Sequence, residues 1–262
     1  MIVSATTDGH LLLVRQTDHQ VLSGLLAEAW GNEEFVRPEP FAPLLRAAYE
    51  HDNGWRAWEQ APKVDAATRR PYQFTDVPLE EHLAFYREGI DELAARDPHA
   101  GLLVTLHCQG FHNQRFGTMP EAVMKPHPPE REWALKRFMI DLQARQRELG
   151  RRITVDTAAL WAQYELLQFF DRLSLYLCMP PLRPRDLGPV PVSAGGVLLT
   201  LRLTPGDEGA VRLAPWPFRT ESVTLRVPLR RVPDRDYAND EDFCRDLASA
   251  QPALIAQTLF AA

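Results

Sequence analysis

Six side chains of two ligand types stand out: His19, His51, His82 and His107 supply imidazoles, and Asp52 and Asp171 supply carboxylates. Imidazole nitrogen and carboxylate oxygen suit iron, manganese, zinc or nickel, and their convergence on an ion is the starting point of metal-assisted catalysis. Cys108, Cys178 and Cys244 contain no CxxC pair, so a structural zinc knot has no support.

The elements that must bring these groups together read as helices. Thr17-Asp18-His19-Gln20 fits a capping box, which predicts a helix to about Trp30 with His19 on the stripe of Leu22, Leu26 and Ala29. A second helix is expected after Pro40 to near Asp52, with Leu44, Ala48 and His51 on one face and Asn53-Gly54 as a left-handed cap. A third, from Pro78 to about Arg96, aligns Leu79, His82, Tyr86, Ile90 and Leu93. A fourth, from about Ala100 to Cys108, aligns Ala100, Leu103 and His107. A charged fifth helix covers Pro129 to Leu149. A sixth, Asp156 to Cys178, is apolar all round except where Asp171 interrupts it. Each buried group left alone would cost several kcal/mol, roughly, and a shared cation removes that penalty. A single inward histidine is ordinarily a hydrogen-bonded core residue, and a single helix-buried aspartate is ordinarily a cap or an arginine's partner, with Arg172 the candidate here. The joint occurrence on five helices, with an adjacent His-Asp doublet, points to a common ion.

The chain of 262 residues is 45% hydrophobic, enough for one domain or a domain with an appendage, and excludes a small disulfide-stapled scaffold. Its 29 basic against 35 acidic residues exclude bulk nucleic-acid binding. The apolar run Leu11 to Val14 is too short for a membrane span, so a soluble cytoplasmic protein without a cleaved leader is expected. Helical character stops at the proline-rich stretch 179–193. Beyond it, strand-like alternation predicts three antiparallel strands with a turn at Pro205-Gly206-Asp207, then a last helix from about Asn239 to Phe260. Residues 2–14 can add one or two strands to the same sheet. The expected fold is thus mainly α: a helical bundle over 15–180, with a small antiparallel β-sheet from 1–14 and 190–262 and a C-terminal helix packed on the same domain. No GxGxxG, GxxxxGK[ST] or GxSxG motif supports a dinucleotide, P-loop or esterase reading.

The order His19, His51-Asp52, Asp171 resembles the H…HD…D signature of the HD-domain superfamily, helical metal-dependent enzymes. With His82 and His107 it is similar to the two-metal branch, which holds HD-GYP phosphodiesterases and diiron oxygenases related to myo-inositol oxygenase. The segments QTDHQVLSGLLAEAWG, HDNGWRAWEQAP and LHCQGFHNQRF also resemble an uncharacterised bacterial family of the domain-of-unknown-function kind. The resemblance covers roughly residues 15–180. It implies an HD-like bundle holding two divalent or redox ions, iron or manganese foremost. Asp52 would bridge them as the catalytic carboxylate, His19, His51 and Asp171 would hold one, and His82 and His107 the other. Many HD enzymes read HD-x-G-K, whereas this chain has Trp55 at the lysine position, and the adjacent histidine pair and GYP motif of HD-GYP proteins are missing.

Two reactions fit such a site. Hydrolysis of a small phosphoester would draw on Arg115, Lys125 and Arg172 as substrate cations, with Trp55 and His112 as further substrate contacts. Oxygenation would use an iron pair in a pocket walled by Trp55, Trp58 and Phe111. His112 and His127 fall in loops, where they are candidates for a lid and, more simply, surface residues. A non-catalytic binding protein on an HD-like core is the third reading, with Pro215 to Phe218 as a docking strand. The expected partner is a small-molecule substrate, with no bulk nucleic acid and no membrane, and a homo-oligomer stays open.

Overall fold

The computed structural model describes residues 1–118 and 129–262. The strands β1 (Ile2–Ala5) and β2 (His10–Val14) lead into α1 (Gln16–Ala29) and α2 (Phe41–Glu50). A single turn of 3-10 helix, Asn53–Trp55, continues into the short α3 (Arg56–Gln60), and a two-residue hairpin, β3 (Val64–Asp65) with β4 (Arg70–Pro71), follows. The longer helices α4 (Leu79–Arg96), α5 (Pro98–His112), α6 (Pro129–Gly150) and α7 (Thr157–Cys178) complete the helical layer. No helix among the described residues is long and apolar enough to cross a membrane.

One helix start and two helix ends differ from the sequence expectation. The Thr17 box does not form: α1 begins a residue earlier without a side-chain cap. The Glu59 carboxylate instead accepts the Gln16 and Thr17 amides and the Thr17 hydroxyl, so a distant acid satisfies the free N-terminal donors. Gly54 is not a left-handed cap, because the chain turns on through 3-10 helix there. Its role is close packing, since a Cβ on Gly54 would lie 1.8 Å from the Phe85 carbonyl oxygen of α4. α5 runs past Gly110 to His112, because Gly110 packs tightly inside the helix without ending it.

After α7, β5 (Arg185–Pro191), β6 (Leu198–Pro205), β7 (Ala210–Ala214), β8 (Ser222–Pro233), α8 (Asp240–Ser249) and β9 (Pro252–Ala261) follow. The sheet is larger than expected and mixed. Its seven strands run β1-β2-β8-β9-β7-β6-β5, antiparallel except for β7 with β9. β5 lies within the proline-rich stretch, at the edge where missing backbone donors are tolerated. The predicted last helix is corrected: α8 stops at Ser249, ahead of Pro252, and residues 252–261 form a strand between β8 and β7. In β8 alternate residues Val223, Leu225, Val227 and Leu229 are buried, and they share one apolar core with Leu22 and Leu26 of α1 and Phe170, Leu173 and Leu177 of α7. The Pro215–Phe218 segment is no exposed docking strand, because Phe218 is buried and its ring meets Trp30 edge-on.

Candidate metal centre

Three segments carry the central groups. His19 is in the first turns of α1, His51 and Asp52 immediately follow α2, and Asp171 sits in α7. Close packing fixes their spacing. A Cβ on Gly24 of α1 would fall 2.2 Å from the Tyr49 ring of α2, and Gly54 and Gly89 let α4 press directly on the turn after the doublet.

His19, His51 and Asp171 form a fully buried cluster, each offering one donor atom within 4.8 Å of the others. The Nε2 atoms of His19 and His51 are 3.2 Å apart. Asp171 Oδ1 is 3.4 Å from the first and 3.7 Å from the second. Asp52 Oδ2 stands at the same two distances, 3.4 and 3.7 Å, as a fourth donor. Donors held about 2.1 Å from one ion lie about 3.0 Å apart at a right angle and about 3.4 Å at the tetrahedral angle, so these edges match a coordination shell.

The hydrogen bonds behind the rings aim the same way. His51 Nδ1 donates to the Ala48 carbonyl at 3.1 Å, which leaves Nε2 as a lone pair when the ring is neutral. His19 Nδ1 is 2.6 Å from Ser174 Oγ. The Ser174 hydroxyl spends its proton on the Asp171 carbonyl and stands 2.7 Å from Ser23 Oγ, so it is placed to accept Nδ1–H. Pinning Nδ1 in this manner is how proteins orient ligating imidazoles. Two lone pairs at 3.2 Å repel unless a proton or a metal ion lies between them, so the donor set fits a divalent ion.

Without an ion a proton fills that role. Burial opposes charging His19, yet hydrogen bonds to Asp171 and Asp52 overcome it and raise the ring to about 9. Burial would lift both carboxyls, but the neighbouring histidines hold Asp52 below and Asp171 well below the ordinary value. Gln16 Nε2 donates to Asp52 Oδ2 at 3.2 Å, and Gln20 Oε1 accepts the Asp52 amide at 2.8 Å.

A second group of polar side chains adjoins the cluster. The His107 ring is 5.2 Å from that of His51, with Nδ1 2.7 Å from Gln168 Nε2 and Nε2 without a hydrogen-bond partner among the described residues. Burial lowers His107 to about 3, so it is neutral. Arg115, 1% exposed, lies over the Phe111 ring at 4.4 Å and points NH2 at Asp171 Oδ2, 3.6 Å away. It sits in a left-handed turn in which Gln114, Arg115 and Phe116 have φ of 55°, 54° and 57°. Each such residue costs about 1–2 kcal/mol, and strain of this kind concentrates at functional sites. The Asn113 side chain accepts the Phe116 amide and the Thr118 hydroxyl donates to the Arg115 carbonyl, which holds the turn.

The family described as "Protein of unknown function (DUF3891)" matches residues 1–234. The chain belongs to the DUF3891 family. No curated protein and no solved structure matches it.

In this DUF3891 protein the expected ligands divide. His19, His51 and Asp171 meet at one point, Asp52 stands against the two imidazoles, and His107 stands beside them. His82 lies further round, packed between Trp55 at 5.3 Å and Tyr86 at 4.9 Å between ring centroids. Trp55 is buried among Trp58, Phe85 and His82. His112 ends α5, half-buried. Arg172 does not serve Asp171: it donates to the Gly188 carbonyl of β5, and Arg115 takes the place beside the carboxylate. Lys125 and His127 lie outside the described residues. Sequence reasoning missed the supporting shell. Gln16, His19, Gln20 and Ser23 are all buried at spacings of three, one and three, a polar stripe on the inner face of α1. Tyr164, Gln168 and Asp171 repeat that signal on α7, at spacings of four and three.

Proposed function

We propose that this DUF3891 protein is a metal-dependent hydrolase of HD type acting on a small phosphoester. The observation that carries the reading is the convergence of the His19, His51 and Asp171 donor atoms, with Asp52 against the two imidazoles and each imidazole already turned by its Nδ1 partner. A bound divalent ion would supply a Lewis acid and a water of lowered pKa. Asp52, kept ionised and steadied by Gln16, is placed to take a proton from that water. Arg115 is placed to meet negative charge on the substrate. In keeping with the HD resemblance, His107 and His82 are the residues proposed for a second ion.

A diiron oxygenase of the myo-inositol-oxygenase type is the second reading, favoured by Gln168. Its Oε1 has no donor partner. With the amide turned, Oε1 would accept His107 Nδ1–H and free Nε2 for an ion.

Element analysis of purified protein, with phosphomonoester hydrolysis assayed before and after chelation, tests the proposal. Manganese, zinc or nickel, activity lost on chelation, and loss of both metal and activity in His51→Ala and Asp52→Ala are expected. An iron pair with a mixed-valent EPR signal would turn the assignment to oxygenation. Metal-free protein that takes up no ion, with variants that behave like the parent, would overturn both and leave a binding protein.

A further inference from the structure

We infer that Arg115 and Tyr164 form a receptor for a phosphate-class oxyanion, set on the Oδ2 side of Asp171 next to the metal cluster. The inference deepens the hydrolase reading by naming what holds the substrate's anionic group, and it rests on that reading for the charge of the ion.

The first observation is a set of buried donors without acceptors. Arg115 is 1% exposed, yet its Nε and NH1 reach no hydrogen-bond partner among the described residues. Tyr164 is fully buried on α7, and its hydroxyl has none among them either. Folded proteins rarely leave such groups empty-handed, and those that remain mark a bound ion, water or ligand. The two residues are neighbours. A Cβ on Gly110 would fall 2.4 Å from the Tyr164 hydroxyl and 3.3 Å from Arg115 Cδ, so the missing side chain at residue 110 is what lets both close in on α5 side by side.

The second observation is orientation. Phe111 covers one face of the guanidinium, which leaves its in-plane edges for hydrogen bonding. Asp171 faces NH2 from beyond hydrogen-bond distance, and its Oδ2 has no donor of its own. Asp171 thus divides its oxygens between the imidazole side, through Oδ1, and the guanidinium side, through Oδ2. An anion on Arg115 would sit one carboxylate away from the ion.

Charge completes the argument. Asp52 and Asp171 neutralise a divalent ion, and Arg115 then leaves one buried positive charge over. Unpartnered donors with a net positive charge, and no acid besides Asp171 beside them among the described residues, select an oxyanion. A tetrahedral phosphate has an oxygen for the guanidinium, another for the phenol and a third for the metal side, which a carboxylate lacks.

Titration calorimetry with inorganic phosphate on the full-length protein, chelator-treated and manganese-loaded, tests this. Phosphate is expected to bind both forms, and the loaded form more tightly. Arg115→Met should weaken binding by more than about tenfold. Tyr164→Phe, which removes one oxygen and leaves the packing, should weaken it by about threefold to tenfold. Acetate should bind at least about tenfold more weakly than phosphate. Phosphate affinity unchanged in both variants, phosphate binding confined to the ion, or acetate binding as well as phosphate would overturn the receptor. Manganese binding measured alone separates the two failures. Protein that takes no manganese but loses phosphate on Arg115→Met defeats the hydrolase reading and keeps the receptor, while normal manganese uptake with unaltered phosphate affinity defeats the receptor alone.

Discussion

At the scale of single residues, a metal ion and a proton compete for the same place between His19 and His51. With His19 raised to about 9 from an ordinary 6.5, each unit of pH below about 9 should cost about tenfold in metal affinity, and the curve should flatten above it. Metal titration between pH 6 and about 10 would reveal this slope, and a flat profile would contradict it. For metal-free protein the sign follows from the raised folded value. The stabilisation that the protonated ring contributes is complete below about 6.5 and is lost as pH rises through about 9. Ser174 turns His19 without touching the ion. Ser174→Ala should weaken metal binding by about tenfold to a hundredfold with the fold intact, as read by calorimetry and circular dichroism. The ligand order was legible in the sequence because His19, His51 and Asp171 interrupt apolar stripes. Ser174, Gln16 and Tyr164 were not, since hydroxyls and amides on such stripes pass for ordinary core residues until the opposing helix is known. Arg115 was singled out as a substrate cation, but its burial was not legible, because nothing in NQRFG announces a left-handed turn that drives it inward.

At the scale of elements, the site depends on how closely helices approach. Gly54→Ala would set a methyl group against the Phe85 carbonyl, pushing α4 off the turn after Asp52. We expect a loss of about 1–3 kcal/mol in urea unfolding and a weaker metal site, from overpacking alone. A variant as stable as the parent would show that α4 can shift freely. The long helices were legible from period and punctuation, and Asp156, where the sixth helix was expected to begin, caps α7. The glycine contacts were not, because glycine before tryptophan reads equally well as a cap. The C-terminal strand was misread for two reasons that the structure makes plain. Pro252 was allowed inside a helix, and Gln257, a polar residue at an inward position of β9, masked the alternation.

At the scale of the whole molecule, β9 joins β8 to β7 in the middle of the sheet, and the sheet shares its apolar core with α1 and α7. Deleting residues 251–262 would open two long backbone edges and strip that core, so the shortened chain should aggregate or lose its cooperative melt. An ion gripped by α1, the α2 exit and α7 ties three distant stretches together. At a thousandfold excess over its dissociation constant it should add about 4 kcal/mol, seen as a melting point several degrees higher that chelation reverses. The most direct test is anomalous diffraction from crystals grown with manganese. A peak about 2.0–2.3 Å from His19 Nε2, His51 Nε2 and Asp171 Oδ1, with Asp52 Oδ2 in contact or one bridging atom away, is the expected result. Crystals saturated with manganese that show no peak there, with the two imidazoles joined by a proton, would contradict it.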